Sequence, residues 1–419
     1  MVIQPFIRNK SDESRSNVDL QLEESLALVN TLQWRVVDAF QVGLDSYSGT
    51  EFFRSGKMEE ISNLIAQDQR ITSVYISVYK LSYSQRLAIE NHFRVPVIDR
   101  YGLVLQIFHL HARTVEAKLQ VSLAEIPYLK HRLNTEYFDE QRSKHSGGNL
   151  GESVFESRNF ALKKMESRIK KKIEKFSLQR QKLRESKQRS VIPTVAIVGY
   201  TNCGKTSLIK ALTGEENLKP ENKLFATLDV TCHSGGLPDN LQCIYIDTVG
   251  FLSDIPTKLI ASFSATLEDA IQADLVVHVR DLSHPDTVHQ DREVMNTLRK
   301  LNFKPTDGNI ITAANKIDKV RKEDIKVAKS EGLIPISATL NIGLAYLQKE
   351  IQKRLISIRE MERTVIRIQT GSDVMEWLKV NTTVADINVD ESDPNYCMLS
   401  VLWNKQIKGK FEKLFLQRH

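Results

Sequence analysis

Cysteine is scarce. The four cysteines, Cys203, Cys232, Cys243 and Cys397, form no C-x-x-C pair and no metal-ligand spacing. That excludes a disulfide-stapled framework and a zinc site, and it suits a reducing compartment. Long apolar runs are missing too. None approaches the ~20 residues of a membrane-spanning helix, so no membrane span is expected. Charge of one sign is not in excess overall. The net charge is +6, from 58 Lys and Arg against 52 Asp and Glu. Where charge is concentrated therefore matters more than its sum. The N-terminal MVIQPFIRNKSDESRSN carries Asp12 and Glu13 and little amphipathic apolar pattern. It reads as neither a secretory signal nor a mitochondrial presequence. What is present is the composition of a soluble globular protein, 41% hydrophobic and 26% charged over 419 residues, enough for roughly two to four domains.

The chain is organised around Val195–Ser207, VAIVGYTNCGKTS. An apolar run into Gly199 reads as a buried parallel strand ending in a glycine turn. Gly199, Tyr200, Thr201, Asn202, Cys203, Gly204, Lys205 and Thr206 form G-x-x-x-x-G-K-T, and Leu208, Ile209, Ala211 and Leu212 follow at helical spacing. Strand, glycine loop and helix together make a phosphate-binding loop, in which backbone N–H groups close around phosphates at a helix N-terminus. Lys205 is expected to reach the β- and γ-phosphates and Thr206 to bind Mg²⁺.

Three more motifs follow in order. The first is LFATLDVT (224–231), with Phe225, Ala226, Thr227, Leu228 and Asp229; Thr227 stands 22 residues beyond Lys205, where a GTPase needs a switch threonine for Mg²⁺ and the γ-phosphate. The second is the D-x-x-G of Asp247, Thr248, Val249 and Gly250. Asp247 is expected to hold Mg²⁺ through water, and the Gly250 N–H to contact the γ-phosphate. The third is the N-K-x-D of Asn315, Lys316, Ile317 and Asp318. A carboxylate at Asp318 accepts from guanine N1–H and the exocyclic amine together, a donor pair that adenine lacks. Lys316 is expected to pack along the base and Asn315 to tie this loop to the phosphate loop. Ser337, Ala338 and Thr339 are expected to add a backbone contact to the base. The pattern predicts a GTPase with GTP/GDP and Mg²⁺ as cofactors, and Lys205, Thr227 and Gly250 as its catalytic groups. Phe251 occupies the position where Ras-like enzymes keep a water-orienting glutamine, so slow intrinsic hydrolysis is expected.

Around this core the expected fold class is α/β: a P-loop GTPase domain (191–360) with a doubly wound, mostly parallel sheet, an N-terminal α/β domain (18–113), a helical-hairpin arm (114–190) and a small C-terminal α+β domain (361–419). In the first of these, helices at Leu20–Leu32, Gly56–Gln67 and Ser84–Phe93 alternate with strands at Trp34–Gln41, Ser73–Tyr79 and Val95–Ile98. The arm has a helix at Val115–Leu133, with a kink expected at Pro127, and another at Phe155–Arg189, where Phe155, Leu162, Ile169, Phe176 and Leu183 recur every seven residues. Its second seam is read through Met165, Lys172 and Gln179. From Arg158 to Arg189 there are thirteen Lys or Arg against three Glu, a balance that suits a nucleic-acid backbone. The C-terminal segment reads as β-α-β-β-α, a docking module.

GYTNCGKTSLIKALTG, LFATLDVT, DTVGFLSDIP and SFSATLEDAIQADLVVHVRD, with FFRSGKMEE, VPVIDRYGLVLQIF and ARTVEAKLQVSLAE upstream, resemble the HflX family of ribosome-associated GTPases along nearly the whole chain. Within it the closest likeness is to the animal mitochondrial branch. At the arm tip, Asn149–Ser157 keeps only Gly151 and Glu152 of the bacterial segment, and Thr339 replaces a usual lysine. The resemblance implies a monomer that binds the large ribosomal subunit and rRNA, in splitting, recycling or assembly, in the mitochondrial matrix or alternatively the cytoplasm. A signalling switch that binds protein effectors through the arm is the alternative function.

Overall fold

The computed structural model describes residues 1–8, 13–47, 52–143, 150–187, 192–218, 220, 224, 231–252, 272–301, 303, 306 and 308–416. The chain forms two compact units, the first mainly Met1–Leu178 and the second Gln179–Asn222, Asp229–Ser253 and Ser264–His419.

The first unit contains β1 (Val2–Ile7), α1 (Glu13–Thr31), β2 (Ala39–Leu44), α2 (Ser55–Gln67), β3 (Val74–Ile76), α3 (Tyr83–Phe93), β4 (Val97–Asp99) and α4 (Arg100–His111). Its sheet is parallel with order β2-β1-β3-β4. Ile3, Ile61, Val74, Ile76, Ile89 and Val97 form the core with no exposure. Ser82 caps α3 through a reciprocal box with Gln85, and Asp99 caps α4 by accepting from the Gly102 N–H, each satisfying amides that a helix start leaves unpaired.

Two sequence expectations shift here. β1 lies before the expected domain start at 18 and sits inside the sheet, although Pro5 argues against a central strand. The structure reconciles them: β1 pairs with β3 only at Val2 and Ile3, so Pro5 falls beyond that ladder. The expected strand Trp34–Gln41 is instead Ala39–Leu44, because Phe40, Val42 and Leu44 alternate toward one face while the adjacent Val36 and Val37 do not.

The arm consists of α5 (Val115–Ser143) and α6 (Leu150–Lys187), and α5 runs on through Pro127. Among the described side chains of α6, the half-buried or buried Phe155, Asn159, Leu162, Glu166, Ile169, Ile173 and Phe176 are spaced alternately four and three, with Ser177 half-buried beside the last. The second seam is therefore Asn159, Glu166 and Ile173. Met165 and Lys172 face solvent. The seam carries a charge because Glu166 meets Lys130 of α5 at 2.5 Å and Lys170 at 2.6 Å. Leu183 and its neighbours lie where no side chain is described.

The second unit holds β5 (Thr194–Gly199), α7 (Lys205–Thr213), β6 (Thr231–Gly236), β7 (Gln242–Asp247), β8 (Leu275–Asp281), α8 (Thr287–Lys300), β9 (Ile310–Asn315), α9 (Lys322–Ser330), β10 (Ile334–Pro335) and α10 (Leu344–Ile358). The sheet order is β10-β9-β8-β5-β7-β6, parallel except for β6 against β7. Three strands, β11 (Glu362–Gln369), β12 (Thr383–Val389) and β13 (Tyr396–Trp403), form an antiparallel sheet of order β11-β13-β12. The helices α11 (Asp373–Asn381) and α12 (Lys405–Phe411) cover it, Phe411 packing against Trp377 of α11 and Trp403 of β13. This layer is tied to the β6–β7 turn: Arg363 pairs with Asp239, and Asn240 donates to the carbonyls of Val384 and Ala385 at 3.3 Å each. No described helix is long and apolar enough to cross a membrane.

Candidate functional site

The motifs converge at the carboxyl ends of β5, β7, β8 and β9, where the loops of a parallel sheet gather. Residues 195–198 are buried on both faces, which explains their unbroken apolar run. Two positions in the loop after them require glycine. A Cβ on Gly199 would lie 2.4 Å from the Val279 carbonyl oxygen and 2.7 Å from Cys203 Sγ. Gly204 has φ +98°, and its Cβ would lie 2.3 Å from Asn315 Nδ2, so both backbone conformation and space exclude a side chain. Asn202 also adopts positive φ. α7 begins at Lys205, turning its first amides toward the loop.

Lys205 is buried, and its Nζ donates to the Tyr200 carbonyl at 2.9 Å and the Gly199 carbonyl at 3.2 Å. Thr206 Oγ1 donates to Asp247 Oδ2 at 2.8 Å, bringing together the two described residues expected to hold Mg²⁺. Thr248 donates to the Ile197 carbonyl at 2.7 Å. Val249 and Phe251 are buried. Phe251 joins the phosphate loop through its backbone: its N–H donates to the Gly199 carbonyl at 3.1 Å, and its carbonyl accepts from the Thr201 N–H at 2.7 Å. A Cβ on Gly250 would lie 2.8 Å from Thr201 Cγ2 and 3.0 Å from Lys205 Nζ, so glycine lets this loop close against the phosphate loop.

Asn315 is 2% exposed and bridges two loops. Its Nδ2 donates to the Cys203 carbonyl at 2.8 Å, and its Oδ1 accepts from the Ala338 N–H at 3.0 Å. Lys316, at φ +66°, donates to the Asn202 carbonyl at 2.8 Å. Ile317 and Asp318 occupy a short 3-10 turn. Asp318 Oδ1 accepts from Ser337 Oγ at 2.5 Å, and Thr339 Oγ1 lies 3.3 Å from Ser337 Oγ. The expected switch residues Phe225, Ala226, Thr227, Leu228 and Asp229 lie outside the described residues.

Sequence reasoning missed Asp281. Its Oδ2 accepts from Lys316 Nζ at 2.6 Å, and its Oδ1 accepts from the Ser283 N–H and hydroxyl. The available signal is position: Asp281 ends β8 in register with Asn315. His278 is buried on the same strand beside Asp291. Burial, aided by Arg280 and Lys205, pushes its imidazole down to about 3, so it is neutral. Burial likewise raises the Cys203 thiol, keeping it uncharged.

The arrangement joins a phosphate cradle, an ammonium, a hydroxyl–carboxylate pair of hard oxygens suited to a small divalent cation, and a loop carrying a carboxylate able to read a base. Residues 194–316 match the family described as 50S ribosome-binding GTPase. Residues 19–109 and 111–187 match the GTP-binding GTPase N-terminal and middle regions. The chain is 36% identical over 99% of its length to GTP-binding protein 6 of Xenopus laevis, covering 79% of that relative. It is 30% identical over 93% of its length to GTPase HflX of Alkalihalophilus pseudofirmus, covering 90% of it. Among solved structures, a GTP-binding protein from Sulfolobus solfataricus in complex with GDP matches at 23% identity and a TM-score of 0.46, over 85% of this chain and 99% of that one.

Proposed function

This chain belongs to the HflX family of GTPases, and on that premise we propose that its GTP cycle acts on the large ribosomal subunit, with the basic arm seated on rRNA. GTP binding and hydrolysis are the family's activity. The ribosomal step is our reading, and the charge of α6 carries it. Lys164, Lys171 and Lys175 are exposed at spacings of seven and four, which puts them on one face, opposite the seam. Glu166 is taken up by Lys130 and does not offset that face. Such a stripe suits phosphate neutralisation, which releases counterions and gives steep salt dependence. The family description of residues 194–316 as a 50S ribosome-binding GTPase supports the same partner.

In this reading Lys205, the amides of Asn202, Gly204, Lys205 and Thr206, and Gly250 hold the phosphates, and Asp318 with Ser337, Ala338 and Thr339 holds guanine. Thr206 and Asp247 fit Mg²⁺ as adjacent hard-oxygen donors, with Thr227 as the further ligand; the ion supplies charge neutralisation at the β- and γ-phosphates. Phe251 has no polar side-chain atom to orient water, so hydrolysis depends on the bound ribosome. We assign the protein to recycling or assembly of mitochondrial ribosomes, from its likeness to the animal relatives.

Co-sedimentation with ribosomal particles, under a non-hydrolysable GTP analogue or GDP and across a salt series, tests this. The expected result is analogue-dependent pelleting with large subunits that is lost as salt rises. Lys164→Glu/Lys171→Glu/Lys175→Glu should abolish pelleting and leave GTP affinity unchanged. Absence of nucleotide-dependent pelleting with mitochondrial and cytosolic ribosomes refutes the proposal.

A further inference from the structure

The phosphate loop contains a hydroxyl that the fold does not use. Thr201 is 6% exposed, and among the described residues no hydrogen-bond partner lies within reach of its Oγ1. Burying a hydroxyl without a partner forfeits its hydration for no return within the protein, and such groups mark ligand or catalytic positions. Its surroundings indicate which ligand. The Thr201 Cα and Cγ2 lie 2.9 and 2.8 Å from the point where a Gly250 Cβ would stand, and Lys205 Nζ lies 3.0 Å from that same point. Thr201 therefore borders the junction of the D-x-x-G glycine and the phosphate-loop lysine, the end of the site that faces a terminal phosphate. The carbonyl of its neighbour Asn202 is engaged by Lys316.

Its backbone is fixed by the bond from the Thr201 N–H to the Phe251 carbonyl. As a β-branched residue it has few χ1 choices, so few directions are open to its hydroxyl before substrate arrives. Phe251 cannot supply a polar group here, since its ring is buried and its N–H and carbonyl are engaged with Gly199 and Thr201.

We propose that Thr201 is a catalytic residue of GTP hydrolysis, its hydroxyl donating a hydrogen bond to an oxygen of the transferring γ-phosphoryl group. The water oxygen bonds to Pγ as the bond from Pγ to the β–γ bridging oxygen breaks. The bridging oxygen keeps the electron pair and leaves on GDP, and the water's proton passes to a phosphate oxygen. The Thr201 proton stays on Thr201. Its contribution is charge stabilisation from a preorganised donor, at the position where Phe251 offers none.

Thr201→Val removes the hydroxyl and keeps the branched shape; Thr201→Ser keeps the hydroxyl and removes the methyl. Single-turnover GTP hydrolysis, GDP affinity and thermal unfolding are measured on the full chain. Thr201→Val should slow hydrolysis by about 10- to 100-fold, hold GDP affinity within about twofold, and unfold no earlier than the wild type, because an unpartnered buried hydroxyl has been removed. Thr201→Ser should stay within about threefold of the wild-type rate. Wild-type hydrolysis in Thr201→Val overturns the proposal. So does a loss of GDP affinity that matches the loss of rate, which would make the hydroxyl a general binding group. Equal loss in both variants also overturns it, since the hydroxyl kept in Thr201→Ser would then preserve nothing.

Discussion

Replacing Asn315 with alanine removes one side chain and opens two loops at once. The carboxamide donates to the Cys203 carbonyl at 2.8 Å and accepts from the Ala338 N–H at 3.0 Å. It is 2% exposed, so water cannot replace it without rearrangement. Truncation leaves one buried acceptor and one buried donor, each costing about 1–3 kcal/mol. Partial relaxation of the two loops brings the sum to about 2–4 kcal/mol. Because the effect is local, amide exchange is the proper measure. Peptides covering residues 199–207 and 334–340 should exchange about 30- to 1,000-fold faster, the equivalent of that energy. The Ala338 amide is itself the released donor and should show the change directly. GDP and GTP affinities should fall by the same factor, since Asn315 holds loops rather than the base. Unchanged exchange at Ala338, or a loss confined to one nucleotide, refutes the reasoning.

Other expectations follow from single contacts. Asp318→Asn presents an N–H where the carboxylate presented lone pairs, so GTP affinity should fall about tenfold or more while xanthosine triphosphate gains, as competition binding will show. In the arm, Lys130 and Glu166 are 28% and 27% exposed. Replacing both with leucine should hold or raise the unfolding temperature of the arm, whereas Lys130→Leu alone should lower it, because the carboxylate in the seam then keeps only the exposed Lys170 as its partner. His278 is held down to about 3 from an ordinary 6.5, so the unfolded chain binds a proton that the folded chain refuses. The stability this group contributes is complete above pH 6.5 and is lost as pH falls toward 3. Below 6.5 the free energy of unfolding from urea titration should drop faster for the wild type than for His278→Asn, by about 1.4 kcal/mol per pH unit.

The nucleotide-binding half was legible because its signals are local. Gly199, Gly204, Lys205, Asp247 and Asp318 each sit where a buried strand runs into a turn, and spacing alone identifies that context. What stayed hidden depends on contacts between distant segments. Asp281 matters because Lys316, 35 residues later, lies 2.6 Å away; nothing beside it in sequence says so. β1 was missed because the N-terminal segment was read only for targeting signals, and its pairing with β2 and β3 is a tertiary fact. The second arm seam was assigned to Met165 and Lys172 because hydrophobicity favours methionine over Glu166. A lysine on the opposing helix reversed that choice, and such a partner is invisible to a single-helix periodicity. β6 was not read as a strand because TCHSGG has almost no apolar content. It exists because β7 offers an edge, and a Cβ on Gly235 would lie 2.6 Å from the Tyr245 ring, so glycine serves the close approach.

The pattern of ties around the phosphate loop accounts for its binding of anions more fully than the glycines do. Lys205 takes the carbonyls of Gly199 and Tyr200, Lys316 that of Asn202, and Asn315 that of Cys203. Every one of these partners is a donor, two of them cationic, and every one engages the negative end of a peptide dipole. Turning carbonyls outward turns the peptide N–H groups inward, since the two lie on opposite sides of a trans peptide. The loop is thus held in its anion-binding form by its own Lys205 and by Asn315 and Lys316 of N-K-x-D, before any phosphate arrives. N-K-x-D then has a second duty beside base recognition, because its asparagine and lysine fasten the phosphate loop from behind. Lys316→Met separates the two duties. It removes the tie to Asn202 while leaving Asp318 in place, so phosphate affinity should fall with guanine preference intact. Measured with GTP, ATP and GDP, an equal proportional loss for all three supports the tie. A selective loss for guanine nucleotides would mean that Lys316 acts on the base alone.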